Sequence, residues 1–145
     1  MASDLPGGHI LVIDDEPMLL ELFTELLTNE GYHVTAEALP CLDVAHVLAV
    51  APDLIVLDLL VGNNASGTTF LEMLKADPAA RCLPVLVCSG AHDRLAALAE
   101  RLRAWHCHVV TKPFVVDTFL AAVASCLAGD VDRQPTDPVT AEAAD

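Results

Sequence analysis

Basic residues are scarce in this chain of 145 residues, which has 7 Lys and Arg against 21 Asp and Glu. The formal net charge of -14 argues against a nucleic-acid backbone or an anionic membrane surface as a direct partner, because like charges repel. No apolar run approaches the ~18 to 20 residues that span a bilayer, and the first residues, MASDLPGG, lack the layout of a secretory signal. We therefore expect a cytoplasmic protein that contacts neither nucleic acid nor membrane directly.

The cysteines form no pattern typical of a disulfide framework or a metal site. They are an odd number, Cys41, Cys82, Cys88, Cys107 and Cys126, and no two of them are spaced as CxxC. Cys88 lies inside an aliphatic run, as a small hydrophobic residue would. We therefore predict reduced structural thiols.

Short aliphatic runs alternate with longer helical patterns along most of the chain. Three runs are nearly continuous Val, Ile and Leu, which is typical of strands buried on both faces of a parallel sheet. The predicted strands cover residues 9–14, 33–37, 53–58, 84–90 and 108–112, and the predicted helices cover residues 18–29, 41–50, 68–76, 93–104 and 115–127. This alternation predicts an α/β fold, a doubly wound five-stranded parallel sheet flanked by five helices.

The pattern also predicts where the domain begins and ends. Length and the 54% hydrophobic content indicate one globular domain with a substantial core. Residues 129–145 are acidic, contain two prolines and lack apolar periodicity, so we expect a disordered tail there. Residues 1–7 are an N-terminal extension, which leaves residues 8–128 as the folded domain.

Polar residues end four of the five predicted strands. Asp14 and Asp15 lie at the carboxyl end of the first strand, Asp58 at that of the third, Ser89 at that of the fourth and Lys112 at that of the fifth. Functional residues of doubly wound sheets lie at the carboxyl ends of the strands. We therefore expect these five side chains to converge on one edge of the sheet.

The residue types indicate a particular chemistry. Clustered carboxylates repel one another by roughly 3 kcal/mol per pair at an effective dielectric near 20, so a compensating cation is expected. Oxygen ligands without cysteine or histidine favour Mg²⁺ over zinc. An ionised Asp58 beside Mg²⁺ and the Lys112 ammonium is a nucleophile suited to a phosphoryl group, and Ser89 could hydrogen-bond the product.

Each of these residues also has a simpler interpretation. Asp14, Asp15 and Glu16 before Pro17 could be only the capped first turn of a helix. Asp58 could be a solvated acid, Ser89 a turn residue and Lys112 a surface lysine. The joint occurrence of all of them at strand ends favours a functional site.

Four motifs, LVIDDEP, PDLIVLDL, VLVCSG and VVTKPF, make residues 8–128 resemble the receiver domain of bacterial two-component response regulators. The resemblance implies the strand order 2-1-3-4-5 of CheY-like and flavodoxin-like folds. It also implies that Asp58 accepts a phosphoryl group from a histidine kinase and that Ser89 and Lys112 are the switch hydroxyl and the conserved lysine of the family. Mg²⁺ would be bound by Asp15, Asp58 and the Leu60 carbonyl directly and by Asp14 through water, and a cis peptide would join Lys112 to Pro113.

The sequence departs from the family pattern at three places. Val109 occupies the position where receivers usually carry tyrosine or phenylalanine, so either Trp105 or His108 substitutes, or output depends on loop and helix displacement alone, or phosphorylation changes little there. Gly62 replaces a proline in a loop that is one residue longer, which makes the Leu60 carbonyl the least certain metal ligand. Gly90 replaces the common alanine and leaves the phosphoryl site open.

The resemblance implies a phosphorylation-switched interaction module. The residues after Leu127 are too few and too polar for a DNA-binding or catalytic domain, so we expect a stand-alone receiver. Its expected partners are a sensor histidine kinase or phosphotransfer protein and an unidentified downstream protein. Arg94, Arg101 and Arg103 lie on the predicted fourth helix, so the face between the fourth and fifth helices is either a solvated surface or a contact surface for a target or a homodimer. The alternatives are a Mg²⁺-dependent aspartyl-phosphate phosphohydrolase and a degenerate receiver that acts unphosphorylated; we expect a phosphoacceptor and not a turnover enzyme.

Overall fold

A parallel sheet forms the centre of the computed structural model, which describes residues 8–37, 43–58, 66–90 and 92–128. Within these residues the sheet has five strands in the order β2-β1-β3-β4-β5, and every neighbouring pair is parallel. The strands are β1 His9–Ile13, β2 His33–Glu37, β3 Leu54–Leu57, β4 Val85–Ser89 and β5 His108–Thr111. The predicted fold class and strand order are therefore confirmed.

The described residues form six helices, one more than predicted. They are α1 Pro17–Asn29, α2 Val44–Val50, α3 Ser66–Ala76, α4 His92–Ala97, α5 Ala99–Ala104 and α6 Val116–Ala128. The prediction of one helix over residues 93–104 is wrong, because the backbone leaves helical geometry at Leu98, with φ -102° and ψ 6°. No glycine or proline marks this break in the sequence. Leu95, Leu98 and Leu102 are all buried in the core, so we attribute the break to tertiary packing.

The three central strands are buried on both faces because they carry almost only aliphatic residues. Successive side chains of a strand point to opposite faces, so each strand contributes to two hydrophobic clusters. One cluster, which includes Leu11, Ile55 and Val87, packs under α2, α3, α4 and α5. The other, which includes Val12 and Val56, packs under α1 and α6. Strand β2 lies at one edge of the sheet and is only partly buried.

The ends of α1 follow from local sequence. Pro17 begins the helix, where its missing N–H costs nothing. The helix ends at Asn29 and is followed by Gly31, whose φ of 95° is readily available only to glycine. The N–H groups of Gly31 and Tyr32 donate to the carbonyls of Thr28 and Leu27, which closes the helix in a Schellman motif and fixes where β2 begins. None of the helices in the described residues is both long and apolar enough to cross a membrane.

Cysteine reactivity should differ sharply between surface and core. Cys82 is exposed, whereas Cys88, Cys107 and Cys126 are buried. Burial raises the pKa of these three thiols to about 12, 11 and 12 respectively. Because only the thiolate reacts, we expect iodoacetamide at pH 8 to modify them at least about a hundredfold more slowly than Cys82, as measured by peptide mass mapping.

Denaturant supplies the control for this experiment, since the buried thiols should react readily once the chain unfolds. Labelling of Cys88 as fast as that of Cys82 in the folded protein would contradict the packing described above.

Candidate active site at the carboxyl edge of the sheet

Backbone hydrogen bonds carry the sheet one residue beyond β1 and β3 and thereby position two acids. The Asp14 N–H donates to the Glu37 carbonyl at 3.2 Å, and the Asp58 N–H donates to the Ile13 carbonyl at 3.2 Å. Ile13 is paired in register with Leu57, so Asp14 and Asp58 leave the sheet side by side. The main-chain hydrogen bonds of the sheet therefore determine the backbone positions from which both carboxylate side chains extend.

Lys112 is positioned in the same way on the other side of the site. Its N–H donates to the Ser89 carbonyl at 3.0 Å, and the predicted cis peptide between Lys112 and Pro113 is confirmed. Its Nζ donates to Asp14 Oδ2 at 2.9 Å and to Asp58 Oδ2 at 3.3 Å. Residues that follow three different strands thus meet at one ammonium group.

Burial and the contacts between Lys112 and the acids shift the pKa values of this cluster in opposite directions. Asp14 is only 2% exposed, and this burial raises the pKa of its carboxyl; the hydrogen bond and charge of Lys112 and the Glu16 N–H partly offset the rise, while the charge of Asp58 adds to it. Burial alone would lower the pKa of Lys112, but the hydrogen bond to Asp14 and the charges of Asp58 and Asp14 outweigh it and raise that pKa. Lys112 therefore stays protonated and compensates the two acids.

The simpler interpretation of the acidic run, a capped helix start, does not describe what is seen. Glu16 is the N-cap residue of α1, and its side chain makes no capping hydrogen bond. Asp14 Oδ1 instead accepts a hydrogen bond from the Glu16 N–H at 3.0 Å. Asp14 therefore supports the turn with one oxygen and binds Lys112 with the other.

The remaining strand-end residues lie at the same edge. Ser89 is the last residue of β4, is fully buried and is paired in register with Thr111, the residue before Lys112. Asp15 follows Asp14 directly and is partly exposed. The structure therefore brings Asp14, Asp58 and Lys112 into contact. Asp15 is next to Asp14 in the chain, and Ser89 is next to Lys112 across the β4–β5 pair, while their functional roles remain predictions.

The donor chemistry of this edge fits Mg²⁺, because the acids supply only oxygen ligands. In the ranges 8–37, 43–58, 66–90 and 92–128, however, no three acidic, histidine or cysteine side chains form a group that could hold a metal ion. The Leu60 carbonyl, a predicted ligand, lies outside these ranges, as does Gly62. A cation here would therefore depend on water and on backbone oxygen as well as on carboxylates.

Three stacked aromatic rings, which sequence analysis did not predict, pack beside the segment that follows Lys112. Phe114, two residues after Lys112, lies with its ring centroid 5.7 Å from that of Phe23 on α1 and 5.3 Å from that of Phe119 on α6. These contacts hold the segment after Lys112 against both helices. The only signal in the sequence was the phenylalanine of the VVTKPF motif, because the two partners are distant in the chain.

Trp105 and His108, the two candidates to substitute for the aromatic residue that receivers usually carry at the position of Val109, lie on opposite faces of the sheet. Val109 and Trp105 both pack against the cluster under α2 to α5. His108 is fully buried and, by strand alternation, shares the opposite face with Val110. Trp105 therefore packs on the same side of the sheet as Val109. The Arg101 guanidinium lies 4.8 Å from the centroid of the Trp105 ring and forms a salt bridge with Glu72 on α3 at 2.5 Å.

Gly90 can be replaced by alanine without a clash. A Cβ there would lie 3.6 Å from Lys112 Cβ, an ordinary contact, and the backbone is not in the left-handed region. We expect Gly90→Ala to raise the free energy of unfolding by about 0.4 to 1 kcal/mol, because alanine restricts the unfolded chain. Urea unfolding would measure this change.

Gly31→Ala is the matched control for this substitution. It makes the same chemical change where φ is 95°, so it should lower the free energy of unfolding by about 1 kcal/mol. A loss of stability for Gly90→Ala similar to that of Gly31→Ala would contradict the geometry at Gly90.

The chain is similar to known proteins in both sequence and fold. The family model for the response regulator receiver domain matches residues 10–124. The chain is 27% identical over 109 residues to the chemotaxis protein CheY of Thermotoga maritima. This alignment covers 74% of this chain and 88% of CheY. It is 35% identical over 112 residues to the transcriptional regulatory protein KdpE of Mycobacterium tuberculosis. That alignment covers 77% of this chain but only 47% of KdpE. The receiver domain of the Francisella response regulator 1452 superposes with a TM-score of 0.67 at 21% identity, over 86% of this chain and 99% of that one.

Proposed function

We propose, since this chain belongs to the response regulator receiver domain family, that it accepts a phosphoryl group on Asp58 from a sensor histidine kinase or a phosphotransfer protein. The observation that supports this most directly is the bridge from Lys112 Nζ to both Asp14 and Asp58. A carboxylate held at an ammonium, at the carboxyl edge of a parallel sheet, is placed for attack on an anionic group.

In the proposed reaction the Asp58 carboxylate attacks the phosphorus of a phosphohistidine. A bond forms between phosphorus and a carboxylate oxygen, the phosphorus–nitrogen bond breaks, and the imidazole leaves with the electron pair. The Lys112 ammonium stabilises the negative charge on the transferring oxygens. The Ser89 hydroxyl donates a hydrogen bond to the phosphoryl oxygen in the product.

Asp15, Asp58 and the Leu60 carbonyl would hold Mg²⁺ directly, and Asp14 would hold it through water. When bound, this cation neutralises charge on the phosphoryl oxygens. The buried position of Asp14 and the all-oxygen donor set support this assignment.

We further propose that the domain acts in the cytoplasm and signals through contacts with a downstream protein, without turning over a substrate. The chain spans less than half the length of several regulators that it matches, for example 44% of TcrX and 48% of RpaA, so any activity of a whole regulator is not transferred to it. A receiver that acts unphosphorylated is a second candidate, because Val109 replaces the usual aromatic residue of β5.

Incubation with acetyl phosphate and Mg²⁺, followed by intact-mass spectrometry, tests the proposal. We expect one labile phosphoryl group per chain, as an acyl phosphate would be, and no uptake when EDTA is present. Steady release of inorganic phosphate without accumulation on the protein would instead indicate a phosphohydrolase. No uptake under any condition would indicate a receiver that acts unphosphorylated.

A further inference from the structure

A groove of about 440 Å³ lies between α1 and the edge strand β2. Leu20, Thr24 and Thr28 form its wall on α1, and their spacing of four residues places them on one side of that helix. Ala36 of β2 forms part of the opposite wall. The Thr24 hydroxyl already donates to the Leu20 carbonyl at 2.7 Å, so its hydrogen-bond donor is used within the helix. The groove therefore offers a partner mainly apolar contacts.

The rim of the groove is acidic. Glu21 and Glu25, four residues apart and both exposed, line it next to the apolar wall. The first lysine or arginine of the whole sequence is Lys75, so α1, β2 and α2 contain neither of these residues. No lysine or arginine on the elements that form the groove therefore offsets the charge of Glu21 and Glu25.

Charge also discriminates among possible occupants. Residues 129–145 of this chain contain five acids and one arginine, so they do not complement an acidic rim. A second copy of the chain carries a net charge of -14 and would be repelled. A segment of positive charge with an apolar side matches both the rim and the walls.

We propose that this α1–β2 groove binds a basic amphipathic helix of another protein. The apolar side of that helix would contact Leu20, Thr24, Thr28 and Ala36, and its lysine or arginine residues would pair with Glu21 and Glu25. From Leu20 to Thr28 the α1 wall is about 12 Å long at 1.5 Å per residue, which matches two turns of a bound helix with anchors at i, i+3 or i+4, and i+7. This surface does not depend on phosphoryl transfer at Asp58.

A fluorescently labelled amphipathic helical peptide of leucine and lysine is the probe, with the same peptide carrying glutamate in place of lysine as its control. Anisotropy titrations use the full chain. We expect the lysine peptide to bind and the glutamate peptide not to bind. Binding should weaken as salt rises, because exposed charge pairs are screened.

Two kinds of variant locate the binding. Ala36→Trp fills the groove without changing charge and should weaken binding of the lysine peptide by about tenfold or more. The double variant Glu21→Lys and Glu25→Lys should weaken it by about tenfold as well. Asp93→Lys with Glu100→Lys makes the same change in net charge on exposed positions of α4 and α5 and should leave most of the affinity intact.

Several results would overturn the proposal. One is unchanged affinity in Ala36→Trp, or in Thr28→Trp on the exposed helix surface should the first variant not fold. Another is equal loss of affinity in both charge-reversed double variants, which would mean attraction to net charge alone. Dimerisation that Glu21→Lys abolishes would identify a second copy as the occupant, and tighter peptide binding after removal of residues 129–145 would identify the chain's own terminus.

Discussion

Asp58→Asn is expected to lower phosphoryl uptake from acetyl phosphate by at least about a thousandfold while the fold persists. Asparagine has the same shape but its amide is not a nucleophile. The substitution removes an attraction to Lys112 and a repulsion with Asp14 together, so we expect the free energy of unfolding to change by less than about 1 kcal/mol. Intact-mass spectrometry measures uptake, and urea unfolding measures stability.

Asp53→Asn is the matched control, because it makes the same change at the opposite end of the same strand. Asp53 Oδ2 accepts a hydrogen bond from the His9 N–H at 2.8 Å, at the amino edge of the sheet. Uptake in this variant should equal that of the unmodified protein. If Asp58→Asn still took up phosphoryl at the original rate, the assignment of Asp58 would be wrong.

Lys112→Met is expected to impair both stability and uptake. Asp14 would remain buried without its ammonium partner, which costs about 3 kcal/mol of unfolding free energy at neutral pH. Phosphoryl uptake should fall by about a hundredfold or more, because the charge that stabilises the transferring oxygens is lost. Urea unfolding and the rate of mass increase measure the two effects.

The pH dependence identifies the cause of the lost stability. The folded-state pKa of Asp14 is raised above 3.8 and would rise further without Lys112, so ionisation of Asp14 destabilises the variant as pH increases through that range. The deficit should therefore be largest near neutral pH and should shrink below pH 3.8, where Asp14 is protonated in both states. In the unmodified protein, the raised pKa of Lys112 means that its stabilising effect is complete below pH 10.5 and is lost only as pH rises through that raised value.

A second substitution provides the control for Lys112→Met. Adding Asp14→Asn removes the buried charge and should restore most of the stability but none of the uptake. A deficit of the same size at acid and neutral pH, without rescue by Asp14→Asn, would mean that Lys112 stabilises the fold through packing alone.

The strands and the edge of the site were predictable because they depend on local composition. Near-continuous aliphatic runs in β1, β3 and β4 indicate burial on both faces, and the carboxyl ends of parallel strands share one edge. The alternation of elements predicted Asp58 and Lys112 at that edge although they are far apart in the chain. The order of the strands, by contrast, came only from the resemblance to a family.

Other features could not be predicted because they depend on tertiary contacts. The break at Leu98 occurs in a segment rich in good helix formers and is visible only once the buried leucines are seen in the core. The pair between Glu37 and His46, at 2.6 Å, joins the end of β2 to α2 without any sequence motif. Glu37 matters to the site only through its backbone carbonyl, which a side-chain pattern cannot indicate.

Backbone hydrogen bonds to neighbouring strands position Asp14, Asp58 and Lys112, whereas the helix surfaces take no part in those bonds. The proposed reacting groups depend on main-chain geometry that another sequence with the same sheet would reproduce. Surfaces on the helices are free of that constraint, so substitutions there can change which protein a domain of this kind binds without changing the proposed site. A single scaffold of this kind can therefore diversify into many signalling routes through its periphery alone.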